Sequence, residues 1–272
     1  MMDSPSTIYH EYRRCRFGEL HLHCMPAGRA EDQPPLLCLH PAPYSGAWFA
    51  TVMPLLNQGR VVIAPDYPGY GGSAPTETEP SIRDYADAML DLLDDMSIAR
   101  ADVVGFHTGC LVGAEMSLVR ADRVRRLILI DVPCFSGEER RKLYARAVTP
   151  RRFDADPAGL TEEWHRNVEQ RLDAMPFDRA FELFVESLRA GDRSHWAFHA
   201  AFNYPSDERF PDLTKPVHVI ATGSGLLDAT RAAARLLPNV RLVECTDITR
   251  AVFEEGAGRI SIEILAALGA KR

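Results

Sequence analysis

Residues 103–115, with the sequence VVGFHTGCLVGAE, place a titratable side chain at a sharp turn. An apolar run typical of a buried strand ends at Phe106, and a helix is expected after the turn. His107 lies between the two, framed by Gly105 and Gly109, whose lack of a side chain lets the backbone turn tightly. An imidazole ordinarily titrates at about pH 6.5, so it serves as a general acid or base near neutrality. The pattern predicts proton-transfer chemistry at His107.

Short apolar strands alternate with amphipathic helices on both sides of this turn. Ser81 begins one of these helices, with Asp84 at the spacing of a capping box. The strands are predicted as a hairpin around Phe17-Gly18-Glu19 and as 34–40, a run from residue 60 into the turn PDYPGYGGS, 101–106, 125–131, 215–223 and 239–245. The further helices are predicted at 46–59, after His107, at 228–238 and at about 255–268. This alternation indicates an α/β fold with a parallel sheet covered on both faces.

The alternation of strands and helices is interrupted once along the chain. Residues 134–210 are rich in helix-forming sequence and prolines, and the strand–helix alternation returns after them. We therefore predict one α/β core domain made of 1–133 and 211–272, with 134–210 as an inserted helical element.

Composition excludes several classes of function. The chain has 272 residues with 31 Lys and Arg against 38 Asp and Glu, a net charge of −7, and no basic run that could follow a phosphate backbone. No apolar stretch of about 18 residues and no signal-like N-terminus occur. The six cysteines are scattered, with no CxxC pair, and are expected to be reduced. We predict a cytoplasmic protein with a small-molecule substrate or ligand, no nucleic acid or membrane partner, and neither cofactor nor metal; oligomeric state is unknown.

Four stretches, taken together and in order, resemble the α/β-hydrolase superfamily. They are LLCLHPAPYSGAWFATVMPLL, VVIAPDYPGYGGSAP, VVGFHTGCLVGAE and RVRRLILIDVP. The resemblance extends from about Arg13 to Leu268. It implies a mostly parallel, eight-stranded sheet flanked by helices, with 134–210 as a lid over the active site.

The resemblance also implies a mechanism. Members of the superfamily carry a serine on the strained turn, and two backbone N–H groups stabilise the oxyanion that forms when it attacks a carbonyl. On this chain those donors would be Thr108 and Ala42. A late histidine and an acid after a late strand complete the relay.

This sequence departs from the pattern at all three catalytic side chains. His107 occupies the position of the serine, Leu226 that of the acid, and Arg250 that of the late histidine. Asp228 follows two residues after Leu226, and no histidine lies beyond His218. Hydrolysis by an ordinary Ser-His-Asp triad is therefore not supported.

Other side chains are candidates for the missing roles, each with a structural alternative. Asp131 ends a strand and either supplies the acid or simply closes that strand. His40 either contacts substrate or holds the oxyanion loop. Arg250 is a permanent cation that either anchors a carboxylate or enolate or forms a surface ion pair. Trp164 and Trp196, with the neighbouring histidines of the insert at 165, 195 and 199, either face substrate or pack internally.

Two hypotheses follow. In the first, His107 acts as general acid or base on a small, mostly apolar ester or carbonyl compound, in hydrolysis or in carbon–carbon lyase chemistry. In the second, the chain is a catalytically silent homologue that binds a ligand.

Overall fold

Eight strands form one mostly parallel sheet in the structure, a computed structural model that describes residues 7–27, 33–147 and 156–269, and of 145–147 only the backbone. The strands are β1 (Tyr9–Cys15), β2 (Gly18–Met25), β3 (Leu36–Leu39), β4 (Val62–Pro65), β5 (Ala101–Phe106), β6 (Val124–Ile130), β7 (Val217–Thr222) and β8 (Val240–Cys245). Their order is β1-β2-β4-β3-β5-β6-β7-β8. Strand β2 runs antiparallel to β1 and β4, and all other pairs are parallel. The predicted fold is confirmed.

Both faces of the inner strands β3, β4 and β5 are buried, which explains why these strands read as continuous apolar runs. Within β3, Leu37 and Leu39 belong to the core cluster on one face. Leu36 and Cys38 belong to the cluster on the other face, because successive side chains of a strand point in opposite directions.

Helices cover the two faces and confirm most of the predicted pattern. They are α1 (Met53–Leu56), α2 (Ile82–Asp95), α3 (Thr108–Val119), α4 (Gly137–Ala147), α5 (Ala158–Asn167), α6 (Phe177–Leu188), α7 (Trp196–Asn203), α8 (Ser206–Arg209), α9 (Leu227–Leu236) and α10 (Ala257–Ala267). The capping box of α2 is present, with the Ser81 and Asp84 side chains each bonded to the other residue's backbone N–H. Within the described residues no helix is both long and apolar enough to cross a membrane.

The predicted helix at 46–59 is wrong in extent. The structure has a 3-10 turn at Gly46–Phe49 and the four-residue α1 instead. The first turn is held by a side chain distant in sequence, because the Gly46 amide donates to the Asp66 carboxylate at 2.7 Å. A Cβ at Gly46 would lie 2.1 Å from the Ala64 carbonyl oxygen, so the start of this segment lies directly against the end of β4.

Helices α4 to α8 lie between β6 and β7, in the segment 134–210 that we call the insert. Helix α6 shows the amphipathic pattern expected of a packed helix, with Ala180, Leu183 and Phe184 buried. Residues 148–155 of the insert lie outside the described part of the chain.

The strand that leads to His107 is fixed at its start by a buried charge. Asp102 is fully buried and accepts hydrogen bonds from Arg60 Nη1 at 3.0 Å and from Arg125 Nε at 2.8 Å. Arg60 is itself 1% exposed. Because each charge here is buried against its partner, loss of one would leave the other uncompensated.

Candidate active site

His107 lies at the junction of β5 and α3 in a strained conformation, with φ 49° and ψ −115°. On both sides of His107 the backbone lies too close to neighbouring carbonyl groups to carry a side chain. A Cβ at Gly105 would lie 2.3 Å from the Gly109 carbonyl oxygen, and a Cβ at Gly109 would lie 2.0 Å from that of Leu39. Strain of this kind costs on the order of 1–3 kcal/mol and persists where the surroundings hold it.

The His107 ring is half-buried and contacts the Phe106 ring, with the centroids 4.0 Å apart and the ring planes tilted by 36°. Its Nε2 atom is buried, and within the described residues it has no hydrogen-bond partner. Burial lowers the pKa of His107 to about 4; the negative charge of Asp131 opposes this shift, and the positive charge of Arg171 adds to it. The imidazole is therefore neutral at pH 7, and one of its two ring nitrogens carries a lone pair.

Asp131 follows β6, the strand beside β5, so parallel pairing places it next to His107. It is fully buried and also has a positive φ, of 52°. Its carboxylate accepts hydrogen bonds from the Thr222 amide at 2.8 Å and from Thr222 Oγ1 at 2.6 Å. Asp131 thus acts on the His107 ring through its charge while its hydrogen bonds go to the end of β7.

Two backbone amides flank the turn. Thr108 is the first residue of α3, and Ala42 follows β3. Within the described chain neither amide donates a hydrogen bond to a carbonyl of another turn or loop. Both residues line a cavity together with His107.

His40 holds the loop that carries Ala42. It is fully buried; its Nε2 accepts from the Tyr67 amide at 3.0 Å, and its Nδ1 lies 2.9 Å from the Pro41 carbonyl oxygen. These partners require a neutral ring with the proton on Nδ1. Burial lowers the pKa of His40 to about 4. The structure gives His40 this positioning role, and it lines neither cavity at His107.

Two cavities meet at His107. The first, which we call the apolar pocket, has a volume of about 220 Å³ and contacts His107, Thr108 and Ala42. Its other lining residues are Pro133, Phe135, Phe198, Ala201, Phe202 and Leu226.

The second, which we call the polar pocket, has a volume of about 330 Å³ and also contacts His107 and Ala42. The insert supplies three polar side chains to it, Arg166, Asn167 and Arg171. Asp131 and Arg250 line it too.

Arg171 is a site residue that the sequence did not reveal. Its Nη2 donates to the Tyr44 hydroxyl at 2.9 Å, and the guanidinium lies over the rings of Tyr44 and Trp48, 5.7 and 5.4 Å from their centroids. Its Nη1 is buried and has no partner among the described residues. No periodic signal distinguishes it from the other arginines of the insert, because only the packing of the insert turns it inward.

The remaining predicted contacts lie at the rim of the site or away from it. Arg250 is exposed at the rim, donates to the Gln170 carbonyl at 3.0 Å and lies 3.7 Å from Asp173. Trp164 packs on three phenylalanines of the insert, and Trp196 lies under Arg193. Neither tryptophan lines the apolar or the polar pocket.

The candidate acids and bases outside the turn at His107 have partners away from the two pockets. Asp228 is exposed beside Arg231. His165 pairs with Glu169 on the surface, while His195 and His199 face Glu79. Leu226 lines the apolar pocket at the place where the resemblance expects the acid.

A family model of the alpha/beta hydrolase fold matches residues 34–245 of the sequence. The chain belongs to the alpha/beta hydrolase fold family. In this alpha/beta hydrolase the matched region includes β3 to β8, and with them the turn at His107.

Curated relatives of this alpha/beta hydrolase include two named enzymes. Fluoroacetate dehalogenase from Burkholderia sp is 31% identical over 160 residues, 56% of this chain and 52% of the relative. A 2-hydroxymuconate semialdehyde hydrolase from Pseudomonas sp. (strain CF600) is 35% identical over 100 residues, 35% of each chain. The chain thus spans about half or less of the length of these relatives.

Solved structures share the alpha/beta hydrolase architecture along nearly the whole chain. A hydrolase from Pseudomonas aeruginosa PA01 superposes with a TM-score of 0.79 at 19% identity, covering 96% of this chain and 98% of that one. The enol-lactonase from Burkholderia xenovorans LB400 gives 0.77 at 20% identity, with 95% and 100% covered. At these identities the likeness establishes the fold.

Proposed function

We propose that this alpha/beta hydrolase is an enzyme in which His107 takes the place of the serine nucleophile and acts as a general base. The observation that carries the proposal is a neutral imidazole held on a strained turn where two cavities meet. Because burial keeps the pKa of His107 near 4, the ring accepts a proton at neutral pH without first losing one.

The reaction is polar chemistry at an ester or carbonyl carbon. His107 withdraws a proton from water, which attacks an ester carbonyl, and the alkoxide leaves with the proton that His107 returns. Alternatively it withdraws a proton from a hydroxyl β to a carbonyl; the bond between the α and β carbons then breaks, a second carbonyl forms, and the enolate takes the proton back. In both cases negative charge develops on the carbonyl oxygen. In this proposal the amides of Ala42 and Thr108 stabilise that charge, an effect worth about 3–4 kcal/mol for a single well-placed donor. Hydrolysis and lyase chemistry thus use the same base and the same two backbone amides.

The two cavities suggest a substrate with two different ends. The apolar pocket, with Phe135, Phe198 and Phe202, suits a hydrocarbon or aromatic group. The polar pocket offers Arg171, whose buried Nη1 lacks a partner and suits a carboxylate. We propose a small, mostly apolar carboxylate-bearing compound with its reacting carbonyl at His107. Fluoroacetate and 2-hydroxymuconate semialdehyde, after which the two relatives are named, also carry carboxylates.

The insert supplies one wall of each pocket through residues of α5, α7 and the turn after α5. We propose that it acts as the lid over this site. Asp131 is proposed to stabilise the imidazolium that forms during the reaction, since its charge already raises the pKa of the ring.

A ligand-binding protein without catalysis is the second candidate. One observation favours it: the hydrogen bonds of the Asp131 carboxylate go to Thr222, so nothing described here orients the His107 ring as the acid of a triad would. In that case Arg171 and His107 hold a ligand and no bond is broken.

The test uses matched pairs of aryl esters and β-diketones, each made with and without a terminal carboxylate. His107→Ala should lower kcat/KM by at least about 100-fold, the lower end of the contribution of a general base. His165→Ala, which removes an exposed imidazole from α5, serves as the matched control and should match wild type. The rate should rise with pH through about 4 and then remain level, because the neutral ring is the active form.

Arg171→Ala should lower kcat/KM about 10-fold or more for the carboxylate-bearing member of each pair, and much less for the neutral one. Arg241→Ala on exposed β8 is the control for loss of charge. If wild type and His107→Ala share the background rate, while carboxylates bind both with an affinity that requires Arg171, the second candidate replaces the first.

A further inference from the structure

The β1–β2 hairpin gathers three histidines on one face. His10 pairs directly with His23 across the two strands, and His21 lies two residues from His23, so all three side chains point the same way. One ring nitrogen of each lies within 4.8 Å of the others. Among the described residues this is the one cluster of three or more His, Cys, Asp or Glu side chains so close together. None of the three lines the pockets at His107.

The distances suit a tetrahedral metal ion. His10 Nδ1 and His21 Nε2 share a hydrogen bond of 3.1 Å, which a bound ion would replace. Ligands at the usual zinc–nitrogen distance of ~2.0–2.1 Å in tetrahedral geometry are about 3.3 Å apart. His10 is exposed on an outer strand, so its ring is free to make the small adjustment that the third ligand requires.

A buried carboxylate orients the His21 ring. Asp66 Oδ2 accepts from His21 Nδ1 at 2.8 Å, which leaves the Nε2 lone pair directed toward His10. A carboxylate behind a ligating imidazole is the usual arrangement around protein-bound metal ions. Asp66 is in turn held by the amides of Gly46 and Gly72, at 2.7 and 2.8 Å, so its position is fixed without a metal.

His23 lies against the same carboxylate. The residue is only 8% exposed, and its Nε2 lies 3.4 Å from Asp66 Oδ1. Asp66 therefore lies behind two of the three imidazoles.

Negative charge lies close to the cluster. The buried Asp66 carboxylate and the Glu186 carboxylate of the insert both act on His10 through their charge. Both charges favour a dication among the three imidazoles.

We propose that His10, His21 and His23 form a binding site for a divalent transition-metal ion, most suitably Zn²⁺, separate from the site at His107. Imidazole ligands favour Zn²⁺, Cu²⁺ and Ni²⁺ over Mg²⁺ and Ca²⁺, which prefer oxygen. The metal joins β1 to β2 through side chains, and through Asp66 it reaches the loop at Gly46. The site is therefore structural, and it stabilises the hairpin.

The test is titration of the untagged, chelator-treated full chain with Zn²⁺, followed by calorimetry, and with Co²⁺, followed by visible absorption. Wild type should bind one equivalent with a Kd on the order of micromolar. His10→Asn should weaken binding at least about 10-fold. His21→Asn should do the same while keeping an amide N–H near Asp66. The paired variant His165→Asn, His218→Asn should bind like wild type.

A thermal readout keeps the test independent of catalysis. At a Zn²⁺ concentration of about 100 times the wild-type Kd, the Tm of wild type should rise by about 5 °C, and that of His10→Asn by no more than about half as much. Equal affinity in wild type and His10→Asn, or no saturable binding below about 1 mM, would overturn the proposal. Because His10 is exposed, its variant is expected to fold, which circular dichroism verifies.

Discussion

Substitution of His40 by glutamine should change how the stability of the protein depends on pH. His40 accepts the Tyr67 amide on Nε2, so its single ring proton lies on Nδ1, beside the Pro41 carbonyl. A second ring proton would meet the Tyr67 N–H, which is itself a donor. Burial accordingly lowers the pKa of His40 from 6.5 to about 4. Glutamine keeps an acceptor for Tyr67 but does not titrate.

The sign and size follow from proton linkage. In the unfolded chain the ring keeps its ordinary pKa, so between pH 6.5 and 4 the unfolded state binds more protons than the folded state. The contribution of the neutral ring to the free energy of unfolding is complete above pH 6.5 and declines as the pH falls. At pH 4 the loss is about 3 kcal/mol, because a pKa difference of about 2.5 corresponds to ~3.4 kcal/mol and the folded ring is then half protonated.

The assay is urea unfolding at several pH values from 7 to 4, followed by circular dichroism. Between these limits wild type should lose about 3 kcal/mol more than His40→Gln. His165→Gln, at an exposed position, should follow wild type. The other histidines with a lowered pKa, at 10, 107 and 218, titrate in both proteins and cancel in the comparison. The same decline in wild type and His40→Gln would refute the buried, neutral ring.

Two further predictions concern the backbone and charges that support His107. Asp102→Asn should lower the free energy of unfolding by about 3–5 kcal/mol, since it leaves buried Arg60 without its counter-charge; urea denaturation checks this, and a loss under about 1 kcal/mol would contradict it. Gly109→Ala should lower it by about 3 kcal/mol, because the new methyl group meets the Leu39 carbonyl. Gly258→Ala in α10, with nothing within 4 Å, is the control and should stabilise by up to about 1 kcal/mol; equal effects of the two alanines would rule out the close approach at Gly109.

The sequence predicted the sheet well because burial on both faces leaves a direct signal. Strand 101–106 was predicted with the bounds that β5 has, and the capping box placed the start of α2. The helix at 46–59 failed because Gly46 is bonded to a distant carboxylate, a tertiary contact that no local pattern contains.

The site was predictable only where strands determine it. His107 and Asp131 follow neighbouring parallel strands, so their proximity comes from topology. Arg171 depends on how the helices of the insert pack, and its neighbours along the chain give no sign of it.

The three-histidine cluster was missed although the hairpin contains the information. Cys15 pairs with Gly18, so the turn is Arg16-Phe17, and His10 must then lie opposite His23. Centring the turn one or two residues later conceals that register, because a one-residue slip moves every side chain to the other face.

The close approach of Gly109 to Leu39 has a consequence for how this protein can change. The turn at position 107 is fixed by its glycine neighbours and by the strand beneath them, not by the side chain that it carries. Side chains of different chemistry can therefore occupy position 107 on an unaltered backbone. A single substitution there changes the reacting group and leaves the backbone of the turn as it is. Replacement of the side chain at position 107 thus keeps the close packing of the turn, whereas a side chain at position 105 or 109 disrupts it.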